Sequence, residues 1–240
     1  MTVLIDAGFS AREIEKRAAH AGVDLGALAG IALTHEHGDH AAGATRLAAR
    51  YRVPVLASPG TLASLREAGN RGIPLTGGAP REVGPFTIHA AATSHDAAEP
   101  LALAVATAAG QRIGYATDLG RPTQALRWLF RDLTAVVLEA NYDEVLLRTS
   151  GYPPAVQQRI AGFGGHLSNG GAAELLVELC HPGMQTIVLA HLSQRCNTPA
   201  HARERVEPPL RASGYTGSLH VAGQDTPLPP IPLGAAQLAL

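Results

Sequence analysis

The chain has 240 residues, 46% hydrophobic and 16% charged, a balance that excludes general disorder. Aromatics make up only 4%, so the core must be built from Ala, Val, Leu and Ile, and 26 Gly with 17 Pro suit a strand-rich or mixed fold better than a helix bundle. A formal net charge of −1 provides no global basic field to draw the chain onto nucleic acid, so any such site must be a local patch.

Val3 to Asp6 is a short apolar run ending in Asp-Ala-Gly, which reads as a strand breaking into a turn. Ser10, with Glu13 three residues on, forms a capping-box pattern before a helix over AREIEKRAAHAG, with Gly22 as its stop. Ile31 to Thr34 reads as a buried strand that runs into HEHGDH, and AAGATRLAARY follows as a helix ending before Val53. VPVLAS is a strand and PGTLASLREAG a short helix. PREVGPFTIHAAATSH predicts two strands around Gly84-Pro85, and LALAVATAAGQRIGYATD two more around Gly110. PTQALRWLFRDL is a helix, TAVVLEAN a strand, PAVQQRIAGFGG and GGAAELLVELCH helices, and MQTIVLAHLS a strand. TPAHARERVEPPLRASG predicts a helix interrupted at Pro208-Pro209. GSLHVAGQD is a last strand, and 226–240 is a Pro-rich irregular tail. The alternation predicts an α/β (α+β) protein, a sheet core with helices on the outer faces, as a single domain over 1–240.

Two cysteines, Cys180 and Cys196, cannot build a disulfide framework or a Cys-rich zinc site. The opening MTVLIDAGFSAREIEKR lacks the form of a signal peptide, and no stretch approaches the ~18–20 apolar residues of a membrane span. A cytoplasmic protein without membrane association is therefore expected, and no obligate protein partner is inferred.

The chemistry lies in the histidines. His35-Glu36-His37-Gly38-Asp39-His40 is an H-x-H-x-D-H pattern where a strand gives way to a helix, a tight turn that fans out several side chains. Imidazole and carboxylate are good ligands for zinc-like ions. His35 and His37 alternate and can serve a first metal, leaving Asp39 and His40 for a second, while Gly38 leaves room for the turn. His95, Asp118 and His191 each end an apolar run, and a carboxylate such as Asp118 can bridge two cations. Taken alone, each of these three could be a strand-end residue hydrogen-bonded to backbone. His20, His89, His181, His201 and His220 have no motif around them.

HEHGDH, with LIDAG upstream and TSHD, YATD and LAHLS downstream, resembles the metallo-β-lactamase-fold hydrolases in order and spacing across nearly the whole chain. The resemblance implies a four-layer αβ/βα sandwich with two mixed sheets flanked by helices. It also implies one metal on His35, His37 and His95, another on Asp39, His40 and His191, Asp118 between them, and Asp6 supporting the metal loop. The segments ALTHEHGDHAAG, SHDAAEP, VLEANYD, GYPPAVQQRIAGFGGHLSN and LAHLSQRCN are similar to the YycJ/WalJ-type branch, which implies DNA exonuclease activity. Members of that branch usually open with a hairpin before the Asp-Ala-Gly turn. Met1 stands five positions before Asp6, so that hairpin is expected to be missing or to lie upstream.

The expected activity is phosphodiester hydrolysis of a nucleic acid, DNA above all, by a hydroxide held between two divalent ions. Zinc is favoured by the first-row affinity order, with manganese as the alternative. Asp39 would be both ligand and acceptor from the nucleophile. His166 of GHLSN would protonate the leaving oxygen, with Glu139 orienting it and Ser168 and Asn169 supporting the segment. His166 could instead only order its own turn. Arg46, Arg50 and Arg52, or Arg127 and Arg131, could form a phosphate patch or simply solvated helix faces. An acyl hydrolase (lactone, thioester or β-lactam) on the same metals and a non-catalytic metal-bound regulatory module are the alternatives.

Overall fold

The computed structural model describes residues 1–65 and 71–234 and divides into two compact units. The first comprises Met1–Ala92 and Ala97–Ala108; the second comprises Thr93–Asp96 and the chain from Ala109 onward.

In the first unit, β1 (Thr2–Ile5), β2 (Leu28–Ala32), β3 (Val55–Ala57) and β4 (Gly72–Pro74) form a sheet in that order. All three pairings are parallel. The sheet is therefore not mixed, in keeping with the helices that carry the chain from each of β1 and β2 to its neighbour. Helix α1 (Ala11–His20) begins as its sequence predicts, Ser10 Oγ accepting from the Glu13 amide at 3.3 Å, and Gly22 at φ +70° turns the chain out of it. The short α2 (Gly38–Ala41) and α3 (Ala44–Tyr51) follow β2, and α4 (Pro59–Ser64) follows β3. The expected continuation of α4 to Gly69 lies outside the described residues. Ile14, Leu47 and Ala48 pack with Ile31, Leu33 and Val55, which fixes α1 and α3 on one face of the sheet. Ala32 and Leu56 pack instead with Val83, Ile88 and Leu103. The latter three belong to the antiparallel ladder β5 (Arg81–Val83), β6 (Phe86–Ala92) and β7 (Leu101–Thr107). The sheet is thus buried on both sides, which explains why β2 and β3 read as continuous apolar runs.

The second unit carries four parallel strands, β8 (Arg112–Ala116), β9 (Ala135–Glu139), β10 (Thr186–Ala190) and β11 (Ser218–Val221). Between them run α5 (Gln124–Leu129), α6 (Glu144–Thr149), α7 (Pro154–Ala161), α8 (Asn169–Leu179) and α9 (Pro199–Ala212). Helix α9 is not interrupted at Pro208-Pro209. Ala202, Val206 and Leu210 are wholly buried on one face, whereas Glu204 and Arg205, whose carbonyls lose their usual amide partners, are exposed to water. Glu207 accepts from Arg203 at 3.1 Å and Arg211 at 3.0 Å, bracing the turn that holds the prolines. The described part of the Pro-rich tail, 226–234, is irregular.

Candidate functional site

Parallel strands deliver their C-terminal ends to one edge, and in each unit the predicted residues collect there. In the first unit Ile5 pairs with Ala32, so Asp6 and the HEHGDH segment leave adjacent strands together. Asp6 adopts φ +56°, a left-handed conformation that turns its carboxylate back. That carboxylate accepts from the Thr34 amide at 2.8 Å, from Thr34 Oγ1 at 3.0 Å and from His40 Nδ1 at 2.8 Å. Thr34 Oγ1, having given its hydrogen to Asp6, can accept from His35 Nδ1 at 3.0 Å. The result sets both tautomers: His35 and His40 carry hydrogen on Nδ1 and a lone pair on Nε2.

The Asp-Ala-Gly turn has a second function. The Ala7 amide donates to the His40 carbonyl at 2.6 Å, and a Cβ on Gly8 would stand 1.6 Å from the Asp39 carbonyl oxygen. Only glycine permits the two loops to lie so close. His35 is wholly buried, His37 half-buried, and the rings of His37 and His40 lie 4.6 and 4.2 Å from that of His35. Asp39 Oδ2 stands 3.5 Å from His40 Nε2 with its side chain 71% exposed. Glu36 points elsewhere, accepting from the Ala98 amide at 2.7 Å, which leaves His35, His37, Asp39 and His40 as the grouped donors of this motif.

In the second unit the organising group is Glu139. It ends β9, is wholly buried and accepts four hydrogen bonds. Leu119 and Leu167 donate their amides to Oε2 at 2.8 Å each, while His166 Nδ1 and His191 Nδ1 lie 2.8 and 2.9 Å from Oε1. Burial would raise the Glu139 pKa, but the two imidazoles outweigh it and hold the carboxyl below its usual range. Burial likewise disfavours a charged His166, yet hydrogen bonds to Asp118 and Glu139 push its pKa up to about 9. Asp118 follows β8 at φ +53° and His191 follows β10 at φ +58°. His95 Nδ1 lies 3.1 Å from the Gly165 carbonyl, an oxygen that can only accept, so its Nε2 also presents a lone pair.

Asp118 Oδ1 is 3.6 Å from His95 Nε2, and Asp118 Oδ2 is 3.5 Å from His191 Nε2. These separations are long for hydrogen bonds but close to the ~3.3 Å edge between two ligands of a tetrahedral ion. Ligand atoms of Asp118, Glu139, His166 and His191 all lie within 4.8 Å of one another. The acceptor capacity of Glu139 is already occupied by four N–H groups, so it holds the two imidazoles in place and has no lone pair left to offer a cation. The donor set of imidazole nitrogens and a carboxylate fits a zinc-like cation.

Ser168 and Asn169 act on the backbone. Ser168 Oγ caps α8 by accepting from the Gly171 amide at 3.1 Å, and buried Asn169 exchanges amide hydrogen bonds with Asn197 at 3.0 and 2.8 Å. The Asn141 amide donates to the Leu167 carbonyl and the Asn169 amide to the Tyr142 carbonyl, both at 2.8 Å, so the LEANYD and GHLSN segments are bound to each other. Sequence reasoning missed three supports: Thr34, the Gly165 carbonyl, and Asn141, whose Nδ2 donates to the His191 carbonyl at 2.8 Å. Asn141 lies inside a segment already singled out, but nothing local marks it as the anchor of His191. Two of the suggested phosphate-binding arginines are compensated: Arg50 pairs with Glu15 at 2.5 Å and Arg127 with Glu178 at 3.0 Å.

Fold and donor set agree with the metallo-β-lactamase-fold superfamily of metal-dependent hydrolases, to which the sequence comparisons assign the chain. The family described as the beta-lactamase superfamily domain matches residues 1–192, and the chain belongs to it. Within it the chain stands on the YycJ/WalJ branch. It is 31% identical over 220 residues to the exodeoxyribonuclease YycJ of Bacillus anthracis, spanning 89% of this chain and 82% of that protein. It is 28% identical over 202 residues to the exodeoxyribonuclease WalJ of Streptococcus pneumoniae, spanning 81% and 75%. Among solved structures, the metallo-β-lactamase-fold protein YhfI of Bacillus subtilis aligns with a TM-score of 0.68 at 17% identity, over 92% of this chain and 83% of that one. Zn2+-bound PqqB of Methylobacterium extorquens aligns at 0.61 and 19%, over 92% and 80%. The α/β fold expected from the resemblance is the one found. Among the described residues, no helix is long and apolar enough to cross a membrane.

Proposed function

We propose that this chain is a nuclease, a phosphodiester hydrolase acting on DNA in the cytoplasm, with residues 1–240 working as one catalytic domain. Seven residues would hold two divalent ions, zinc before manganese: His35, His37 and His95 for one, Asp39, His40 and His191 for the other, with Asp118 shared. Bound by these residues, divalent ions would supply a water of near-neutral pKa and offset charge on the non-bridging phosphate oxygens.

The chain's own groups supply the proton traffic. Asp39, with its side chain largely in solvent, would accept a hydrogen bond from the attacking water. His166 is the general acid. Its Nδ1 faces Glu139 and Asp118 at 2.8 and 3.1 Å, so Nε2 is the atom that donates to the leaving alkoxide. Glu139 holds that ring and His191 in one tautomeric pattern. The observation that carries the reading is geometric: His166 Nδ1 lies 2.8 Å from the buried Glu139 carboxylate and 3.1 Å from Asp118, which favours the protonated ring and leaves Nε2 to give a proton to a phosphodiester leaving group. The exodeoxyribonuclease names of the relatives support the same substrate class.

The test incubates the protein with Zn2+ or Mn2+ and a substrate panel. The panel comprises bis-p-nitrophenyl phosphate, end-labelled DNA and RNA, a chromogenic β-lactam and a lactone. Cleavage confined to phosphodiesters is expected; cleavage confined to acyl substrates rejects the reading. Asp118→Asn preserves a residue at ease in the left-handed region while removing the charge. It is expected to lose turnover and at least about tenfold in metal affinity.

A further inference from the structure

Two segments that stand out in the sequence, GYPPAVQQRIAGFGGHLSN and LAHLSQRCN, meet at a point that the proton chemistry does not use. Arg195 lies there, four positions after His191. Its guanidinium carbon stands 4.4 Å from the centre of the Tyr152 ring, over the ring face, and its Nε and Nη2 both donate to the Ser150 carbonyl, at 3.0 and 2.7 Å. The supports are themselves fixed. Tyr152 packs against the buried cluster of Tyr142, Leu147 and Cys196, and its carbonyl accepts from Gln157 Nε2 at 2.8 Å. Gly151, at φ +74°, turns the chain so that Ser150 and Tyr152 reach the same guanidinium. On the other side, Ser193 Oγ accepts from the Cys196 amide at 3.1 Å, and the Ser193 amide donates to the Asn141 carbonyl at 2.8 Å. Asn141 also anchors His191, so a short, hydrogen-bonded path ties Arg195 to the edge that carries His191.

Its electrostatics set Arg195 apart. Arg17, Arg50, Arg127, Arg159, Arg203 and Arg211 each face a carboxylate. Arg195 has no carboxylate partner among the described residues; a carbonyl and an aromatic face hold it instead. Such partners orient a guanidinium without neutralising it. The residue is exposed, and Nη1 is left outside the bonds to Ser150. Ordering a long side chain costs rotamer entropy, and an anion arriving here meets a cation whose ordering is already complete. Capping of α6, which ends at Ser150, accounts for the carbonyl bonds but leaves an uncompensated positive charge in water beside this edge.

We propose that Arg195 is a phosphate anchor for the nucleic-acid substrate: its guanidinium receives a backbone phosphate other than the one cleaved, and so sets how the strand lies across the site. This deepens the nuclease reading and rests on it. The residue touches a phosphate that does not react, so its effect falls on binding rather than on the chemical step.

The experiment uses a short, end-labelled DNA duplex and, beside it, bis-p-nitrophenyl phosphate, which has no second phosphate to contact. Arg195→Gln is expected to raise KM for the duplex about tenfold at low salt, the order for loss of one charged hydrogen bond, with kcat changed less than about twofold. Both constants for bis-p-nitrophenyl phosphate should stay as in the parent. Fluorescence anisotropy of the duplex with the protein as purified, without added metal, reads binding independently of turnover. There the slope of log K against log salt should become shallower by about 0.9, the value for one phosphate contact, and Arg195→Lys should restore it. Duplexes with one uncharged methylphosphonate linkage at successive positions locate the partner. At one position the parent should lose the affinity that Arg195→Gln loses, and the variant should lose nothing more. A KM that rises equally for bis-p-nitrophenyl phosphate, or a salt slope that does not change, reduces Arg195 to a cap for α6 and overturns the proposal while leaving the nuclease reading in place. A shallower slope in the variant, with no cleavage of either substrate by the parent, overturns the nuclease reading and keeps the phosphate contact.

Discussion

Glu139→Gln is the sharpest test of how the second-unit residues are held. The change preserves shape and removes one charge. Glu139 accepts two backbone amides on Oε2 and two imidazole N–H groups on Oε1, at 2.8 to 2.9 Å. A glutamine oxygen can serve only one of those pairs, and its NH2 then faces the donors of the other. If the amide nitrogen faces Leu119 and Leu167, two bonds to a charged acceptor are lost at about 1.5–3 kcal/mol each, roughly 3–6 kcal/mol at this wholly buried position. For a chain of this size that corresponds to a melting temperature lower by about 10 °C. If it faces the imidazoles instead, they can accept only by moving their hydrogens to Nε2, and His191 then loses the lone pair it would offer a metal. The expected cost of that second outcome is about 10–100-fold in metal affinity. Differential scanning calorimetry of the chelator-treated protein, with a competitive zinc titration alongside, distinguishes the two. A variant that melts within about 2 °C of the parent and binds zinc within about twofold of it would refute the orienting role.

Asp6→Asn tolerates the left-handed backbone but weakens the acceptor for His40 and Thr34, and is expected to lower zinc affinity about 10-fold or more; equal stoichiometry after dialysis against a weak chelator would contradict this. Tyr215 is buried, which pushes its pKa up from 10 to about 12, against the opposing pull of Arg211. A folded pKa above the unfolded one gives stability that is complete below pH ~10 and is lost as pH rises towards ~12, an alkaline loss of roughly 2–3 kcal/mol. Tyr215→Phe should lack that loss, while giving up about 1 kcal/mol at neutral pH with its 2.7 Å hydrogen bond to the Ser218 carbonyl. Paired denaturant titrations at neutral and alkaline pH, with tyrosinate absorbance, check both.

Signals that are local in the chain carried the sequence reading well. Ser10, Gly22, Gly84 and Gly110 mark caps and turns with physics confined to a few residues, and the adjacent elements follow. The missed elements are short. β4 holds three residues and includes both Gly72 and Pro74, and α6 covers only Glu144–Thr149 behind its Asp143 cap. Pro208-Pro209 misled because the solvent that relieves them depends on which face of α9 packs inward. At the candidate site, His and Asp residues at strand ends were legible because a polar group ending an apolar run is conspicuous. What holds them was not. Thr34, Asn141 and the four donors around Glu139 meet through parallel registers joining residues up to 52 positions apart. The pairing of Arg50 with Glu15 spans 35 positions and was equally invisible.

Asp6, Asp118 and His191 share a left-handed backbone that glycine or asparagine would adopt with less strain, by about 1 kcal/mol apiece for glycine. Directed evolution that rewards thermal robustness alone will therefore erode this protein where it can least spare the side chain. Libraries meant to harden it should freeze these three codons, and a hardened isolate carrying glycine at any of them should be assayed before it is kept.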